Sequence, residues 1–136
     1  MSDVFTPPGG PPQKPLNREL FGILGEEKIR EMLRIHYSHL EESSVRDLFP
    51  QDMEEASQKA ADFFIQVMGG PPYYAQKYGP PRMRARHMPF PISPEARNIW
   101  LACFRKALDE LPFPEENRAE FDEFLDSFSN WMINRS

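Results

Sequence analysis

Apolar positions recur at three- and four-residue intervals along most of the chain, and each run ends at proline, glycine or a capping residue. A short turn carries Leu20, Phe21 and Leu24 to Gly25. Ile29, Met32, Leu33, His36, Tyr37 and Leu40 then share one face, predicting a first long helix over about 26–42. Ser43-Ser44 interrupts it, and a short helical piece brings Val45 and Leu48 to Phe49-Pro50. Asp52 with Glu55 three residues on has the form of a capping box, and Met53, Ala56, Ala60, Phe63, Phe64, Val67 and Met68 make the apolar face of a helix over about 52–68. Gly69-Gly70 is expected to stop it by taking left-handed conformations. About a dozen residues of loop follow, with Gly79, Pro80 and Pro81, a length that in a small helical domain calls for something to wrap. Only Arg82–Met88 can add a turn or two, because Pro89 and Pro91 forbid continuation. Ser93 as N-cap with Pro94 at the first position opens the next helix, whose buried stripe is Ile99, Trp100, Cys103, Phe104, Ala107, Leu108 and Leu111. Pro112 and Pro114 end it. A last helix over about 115–134 turns Phe121, Phe124, Leu125, Phe128, Trp131 and Met132 inward. There is no strand signal and no internal repeat, so the fold class is all-α.

A chain of 136 residues has room for one core. Residues 1–16 hold Pro7, Pro8, Pro11, Pro12 and Pro15 with Gly9 and Gly10, a composition that reads as an extended or disordered tail, leaving 17–136 as the folded domain. No apolar run approaches the roughly 20 residues that span a bilayer, and the N-terminus lacks the order of a signal peptide, so no membrane partner and a cytoplasmic location are expected. The single cysteine, Cys103, lies on an apolar stripe and reads as a buried thiol. A net charge of −5 spread over mixed-sign helices argues against a nucleic-acid surface. Arg82, Arg84 and Arg86 are the exception, yet no basic-aromatic interleaving surrounds them. A small carboxylate-bearing ligand suits them better.

The chemistry concentrates between Gly69 and Trp100. Gly69-Gly70-Pro71-Pro72-Tyr73-Tyr74 is followed by Tyr78-Gly79-Pro80-Pro81-Arg82-Met83-Arg84-Ala85-Arg86-His87-Met88-Pro89-Phe90-Pro91-Ile92, then by Ser93-Pro94-Glu95 leading to Trp100. One imidazole stands in a short basic segment walled by apolar residues and closed by proline at both ends. This block resembles the truncated haemoglobins of the second group (O type), in which a double-glycine loop, an Arg-x-Arg-His segment and a Pro-Phe-Pro-Ile approach to a tryptophan-bearing helix occur in this order. The likeness covers about residues 20–112. Four amphipathic helices also suit a plain bundle. The resemblance implies instead a truncated-globin 2-on-2 helical sandwich, with the long loop in place of most of one helix.

The resemblance implies haem b as cofactor, with His87 as its axial ligand, and Met83, Met88, Phe90 and Ile92 are its candidate apolar neighbours; taken alone, a histidine between prolines is more often structural. Arg86, Lys59 and Tyr74 are the candidates for its propionates. Arg82 and Arg84 are left to solvent or to pinning the loop. Tyr37 and Trp100 match the family's distal donors, and Phe49 and Phe63 its haem contacts, although an aromatic stripe read alone is simply core. The chain departs from the family at Ala56 and Ala60, where many relatives carry larger or hydrogen-bonding groups. Two alanines offer no sixth ligand and widen the distal opening. His36 is placed at the helix edge and His39 toward solvent.

The implied function is reversible binding of O2, CO, NO or a similar small ligand at five-coordinate iron. The alternative is a haem enzyme, peroxidase-like or a nitric oxide dioxygenase, served by a separate reductase, since no flavin or nicotinamide fingerprint occurs here. A cofactor-free helical interaction domain is the third reading. A homodimer is compatible with all three.

Overall fold

The computed structural model describes residues 5–136; residues 1–4 of the expected tail lie outside the described residues. The helices are α1 (Leu20–Leu24), α2 (Glu26–Glu41), α3 (Met53–Val67), α4 (Tyr73–Tyr78), α5 (Met83–His87), α6 (Pro94–Glu110) and α7 (Glu115–Met132), with a 3-10 turn at Arg46–Leu48. The long helices pair as α2 on α3 and α6 on α7, and α2 also packs on α6, which makes the two-over-two sandwich. Between the pairs lie Ile29, Met32, Leu33, Phe64, Ile65, Phe104, Phe121 and Leu125, all essentially inaccessible. Burying each such side chain contributes about 1.5–3 kcal/mol, the main favourable term holding the layers together.

Both caps read from the sequence form. The Asp52 carboxylate accepts the Glu55 N–H at 3.0 Å and the Ser93 hydroxyl accepts the Ala96 N–H at 3.1 Å, with Pro94 opening α6. Among the described residues only the Asp52 half of the capping box is made. The double glycine divides its labour differently from expectation. Gly69 alone is left-handed, at φ +100°, while Gly70 lies where a Cβ would sit 2.6 Å from the Phe21 ring and 2.7 Å from Ile65. The first glycine turns the chain and the second lets α1 close on α3. The Phe21 N–H donates to the Met68 carbonyl at 2.9 Å across that contact.

The stretch expected as loop contains α4, which neither apolar periodicity nor a cap announces. It is fixed from outside. The Tyr73 hydroxyl donates to Glu26 at 2.9 Å, and the Gln66 side-chain oxygen accepts the Ala75 N–H at 2.9 Å. Beneath it the buried Asp62 carboxylate takes Arg30 at 2.9 Å on one oxygen and Lys77 at 3.0 Å on the other, so that α2, α3 and α4 share one ion. A buried carboxylate is tolerable only when paired in this way.

The tail also differs from expectation. Residues 5–16 are irregular, with a turn at Pro8-Gly9, and pack on the domain: Pro7 is buried and Leu16, 5% exposed, joins the main core. The five prolines of this stretch have no N–H, which leaves it short of donors for its own carbonyls. Here Asn130 donates to the Pro8 carbonyl at 2.9 Å and Arg84 to that of Phe5 at 2.7 Å. At the other terminus α7 ends at Met132, and Ile133 and Asn134 turn back to be buried.

A Cβ built on Gly69 meets the Arg18 carbonyl oxygen at 1.8 Å, in a left-handed backbone. Gly69→Ala is expected to destabilise the fold by more than about 2 kcal/mol, read as a lower urea midpoint at unchanged slope. A midpoint within error of wild type would refute the close approach of α1.

Candidate functional site

Proline on both sides confines α5 to a little over one turn, and side chains tie it down. Arg86 donates to the carbonyls of Tyr78 at 2.7 Å and Pro80 at 2.9 Å, closing the loop that begins the segment. One turn into the helix, His87 Nδ1 lies 2.6 Å from the Met83 carbonyl. A carbonyl can only accept, so Nδ1 carries the proton and Nε2 keeps its lone pair. Burial holds the imidazole below its ordinary pKa; the Met83 carbonyl opposes this and the Lys59 cation adds to it. The ring is thus a neutral donor with one fixed free nitrogen.

His87 lines a cavity of about 580 Å³ between the helix pairs. Of the residues assigned to the site from the sequence, all but Met88 line the same space. Tyr37 comes from α2, Phe49 from the turn after it, and Ala56, Lys59, Ala60 and Phe63 from α3. Tyr74 comes from α4, Met83 and Arg86 from α5, Phe90 from the following segment, and Trp100 from α6. Sequence reasoning passed over Ala96, and it placed Phe128 and Met132 in the core, although they too line the cavity. Periodicity marks such residues as inward-facing; it cannot say which of them face a void.

The two cations sit toward the α4 side and meet aromatic rings. Lys59 Nζ lies 4.7 Å from the centre of the Tyr78 ring and the Arg86 guanidinium 5.2 Å from that of Tyr74. Arg82 is exposed. Arg84 points elsewhere, to the carbonyls of Trp131, Ile133 and Phe5.

On the opposite wall, neither the Tyr37 hydroxyl nor the Trp100 indole N–H has a hydrogen-bond partner among the described residues. Burial pushes the Tyr37 phenol up, so it remains a protonated donor. Ala56 and Ala60 present only methyl groups. His36, expected at the helix edge, is instead completely buried. Its Nε2 donates to the Trp100 carbonyl at 3.1 Å, its ring packs on Phe104 at 4.3 Å and on Trp100 at 5.0 Å, and its Nδ1 has no partner. Bulky aromatic neighbours on two helices close over it, which a helical wheel of α2 alone does not show. His39, expected to face solvent, is partly covered and bonds Glu110 at 2.6 Å.

An apolar slot with one bare imidazole nitrogen on one wall, two free donors on the other and cations to one side fits a flat macrocycle with carboxylates at its edge. The volume lies within the range of small-molecule and cofactor pockets. Two crossed helix pairs around such a slot define a globin of the two-on-two class. A family model described as bacterial-like globin matches residues 19–134, and the chain belongs to that family. Within it the chain is a group II truncated haemoglobin. It is similar to the group 2 truncated hemoglobin YjbI of Bacillus subtilis, 32% identical over 117 residues that make up 85% of this chain and 89% of that one. The solved structure of phosphate-bound Hell's gate globin IV matches with a TM-score of 0.87 at 38% identity, over 92% of this chain and 80% of that one. The truncated oxygen-avid haemoglobin from Bacillus subtilis matches with a TM-score of 0.81 at 32% identity, over 84% of this chain and 98% of that one. The family is one of haem proteins, and the geometry of this cavity fits that group.

Desolvation takes the His36 pKa from 6.5 down to about 3, so the folded state binds fewer protons than the unfolded state between those values, and stability falls as pH drops through that window. Acidifying the haem-free protein from about pH 7 to about pH 4.5 should remove roughly 2–3 kcal/mol through this residue. Urea midpoints at the two pH values measure it. His36→Phe should lose less stability on acidification than wild type, and an unchanged loss would place the acid sensitivity elsewhere.

Proposed function

We propose that this chain binds haem b through His87 Nε2 and reversibly binds O2 or a related diatomic ligand on the opposite side of the cavity, between Tyr37 and Trp100. The hydrogen bond from His87 Nδ1 to the Met83 carbonyl carries the reading, since it leaves one unprotonated nitrogen of fixed direction in an apolar slot. When bound, haem supplies an iron that takes a neutral imidazole on one side and a small ligand on the other. The chain does the rest. Phe63 and Met83 would exclude water, Phe90 would cover one edge of the group, and Lys59 and Arg86 would balance propionate charge from the α4 side.

Tyr37 and Trp100 are the donors to the ligand. A hydrogen bond is worth about 1 kcal/mol net, or about 1.5–3 kcal/mol to a charged acceptor, so together they slow ligand escape by roughly tens- to several hundredfold. Ala56 and Ala60 supply no competing ligand, which supports a five-coordinate resting state open to solvent. The oxygen-avid character named for the Bacillus subtilis relative supports O2 as the ligand.

The absorption spectrum of the reduced protein tests this directly. A Soret band of five-coordinate form that shifts with carbon monoxide is expected, and His87→Ala should abolish it. Bis-histidine low-spin bands would contradict the open site, and steady turnover of peroxide would mark a haem enzyme instead.

Tyr37→Phe and Trp100→Phe should each speed O2 release by about tenfold or more in stopped-flow measurements. Release rates equal to wild type in both would remove them as donors.

A further inference from the structure

The segment that carries His87 is held by the C-terminus. Pro89 and Pro91 have no N–H, so the one turn that residues 87–92 make for themselves is the Phe90 N–H to the His87 carbonyl at 3.0 Å, and the other bonds of the segment need partners from elsewhere. Asn134, two residues beyond α7 and only 2% exposed, supplies them. Its Nδ2 donates to the carbonyl of His87 itself at 3.1 Å and to that of Phe90 at 2.9 Å, while its Oδ1 accepts the Ile92 N–H at 2.9 Å. The backbone N–H groups of Asn134 and Arg135 donate to the Ile92 carbonyl at 3.0 and 3.2 Å. Arg84, three residues before His87, grips the same terminus through the Trp131 and Ile133 carbonyls and lies 4.6 Å from the centre of the Trp131 ring.

We propose that Asn134 is a positioning residue for His87, fixing the imidazole through the His87 main chain, with Arg84 closing the clamp on the other side of α5. The inference rests on the reading of His87 as axial ligand. A side-chain amide is the group that can donate to two carbonyls and accept from an N–H at one place; both donor bonds of this buried asparagine go to one short segment, and its oxygen is shared between the Ile92 N–H and the neighbouring Arg135 guanidinium at 3.1 Å.

The test uses the full-length haem-loaded chain with Asn134→Ala and the isosteric Asn134→Asp, in which a carboxylate oxygen would face two carbonyls. Asn130→Ala, which cuts only the contact to Pro8, is the control. Both Asn134 variants should keep a Soret band but show a shifted or broadened iron–histidine stretching band in the ferrous protein. They should also lose haem to excess haem-free globin roughly ten- to a hundredfold faster, while the control matches wild type. A wild-type band and transfer rate in both would overturn the proposal. Amide exchange in the unaltered haem-free chain decides the matter without a variant. The amides of Ile92, Asn134 and Arg135 should open together with that of Met88; free exchange at 134 and 135 beside a protected Met88 would overturn it. A normal haem spectrum in His87→Ala would instead remove the axial-ligand reading, which is a separate result.

Discussion

A single hydrogen bond inside α5, from His87 Nδ1–H to the Met83 carbonyl, decides what the cavity can hold. It does three things at once. It selects the tautomer, leaves Nε2 with a free lone pair on a residue that lines the slot and gives a partly buried imidazole a partner for its only proton. A backbone carbonyl four residues earlier faces a side chain only in a helical turn, so α5 must exist for the site to exist. That turn is too short to be stable alone, because nucleating a helix fixes several dihedral angles for one hydrogen bond.

The remainder of the segment between α3 and α6 is therefore anchored by polar side chains. Glu26, Asp62 and Gln66 hold α4 from below, Arg86 closes the loop before α5, and Asn134 and Arg84 join α5 to the C-terminus. Each anchor satisfies backbone or charged groups that the segment cannot pair within itself. The buried Asp62 is the most demanding of them, since losing either cation would leave charge uncompensated in the interior. A proline-rich loop becomes a defined wall because α2, α3 and the C-terminal residues supply hydrogen bonds that it cannot make alone.

The distal wall follows a different logic. His36, and neither Tyr37 nor Trp100, donates to the Trp100 carbonyl, and the Tyr37 and Trp100 donors are left without partners among the described residues. The cost is a buried Nδ1 without a partner. Two alanines on α3 leave the space in front of these donors open. Apolar packing sets the positions, and the polar atoms are left for whatever enters.

The sequence by itself determined the long helices, their caps at Asp52 and Ser93 and the stops at proline. These depend on local periodicity and backbone chemistry, which act over a few residues and are written in order along the chain, whereas the group of residues that share the cavity was readable only through the family resemblance. Only the tertiary structure decided that α4 forms, that Gly70 is a packing site rather than a second left-handed turn, that the proline tail docks on α7, and that His36 is buried. It alone joined Asn134 to His87, 47 residues apart. Each of these rests on a hydrogen bond or contact between distant segments, whose formation depends on how the helix pairs cross, and no local pattern encodes that crossing.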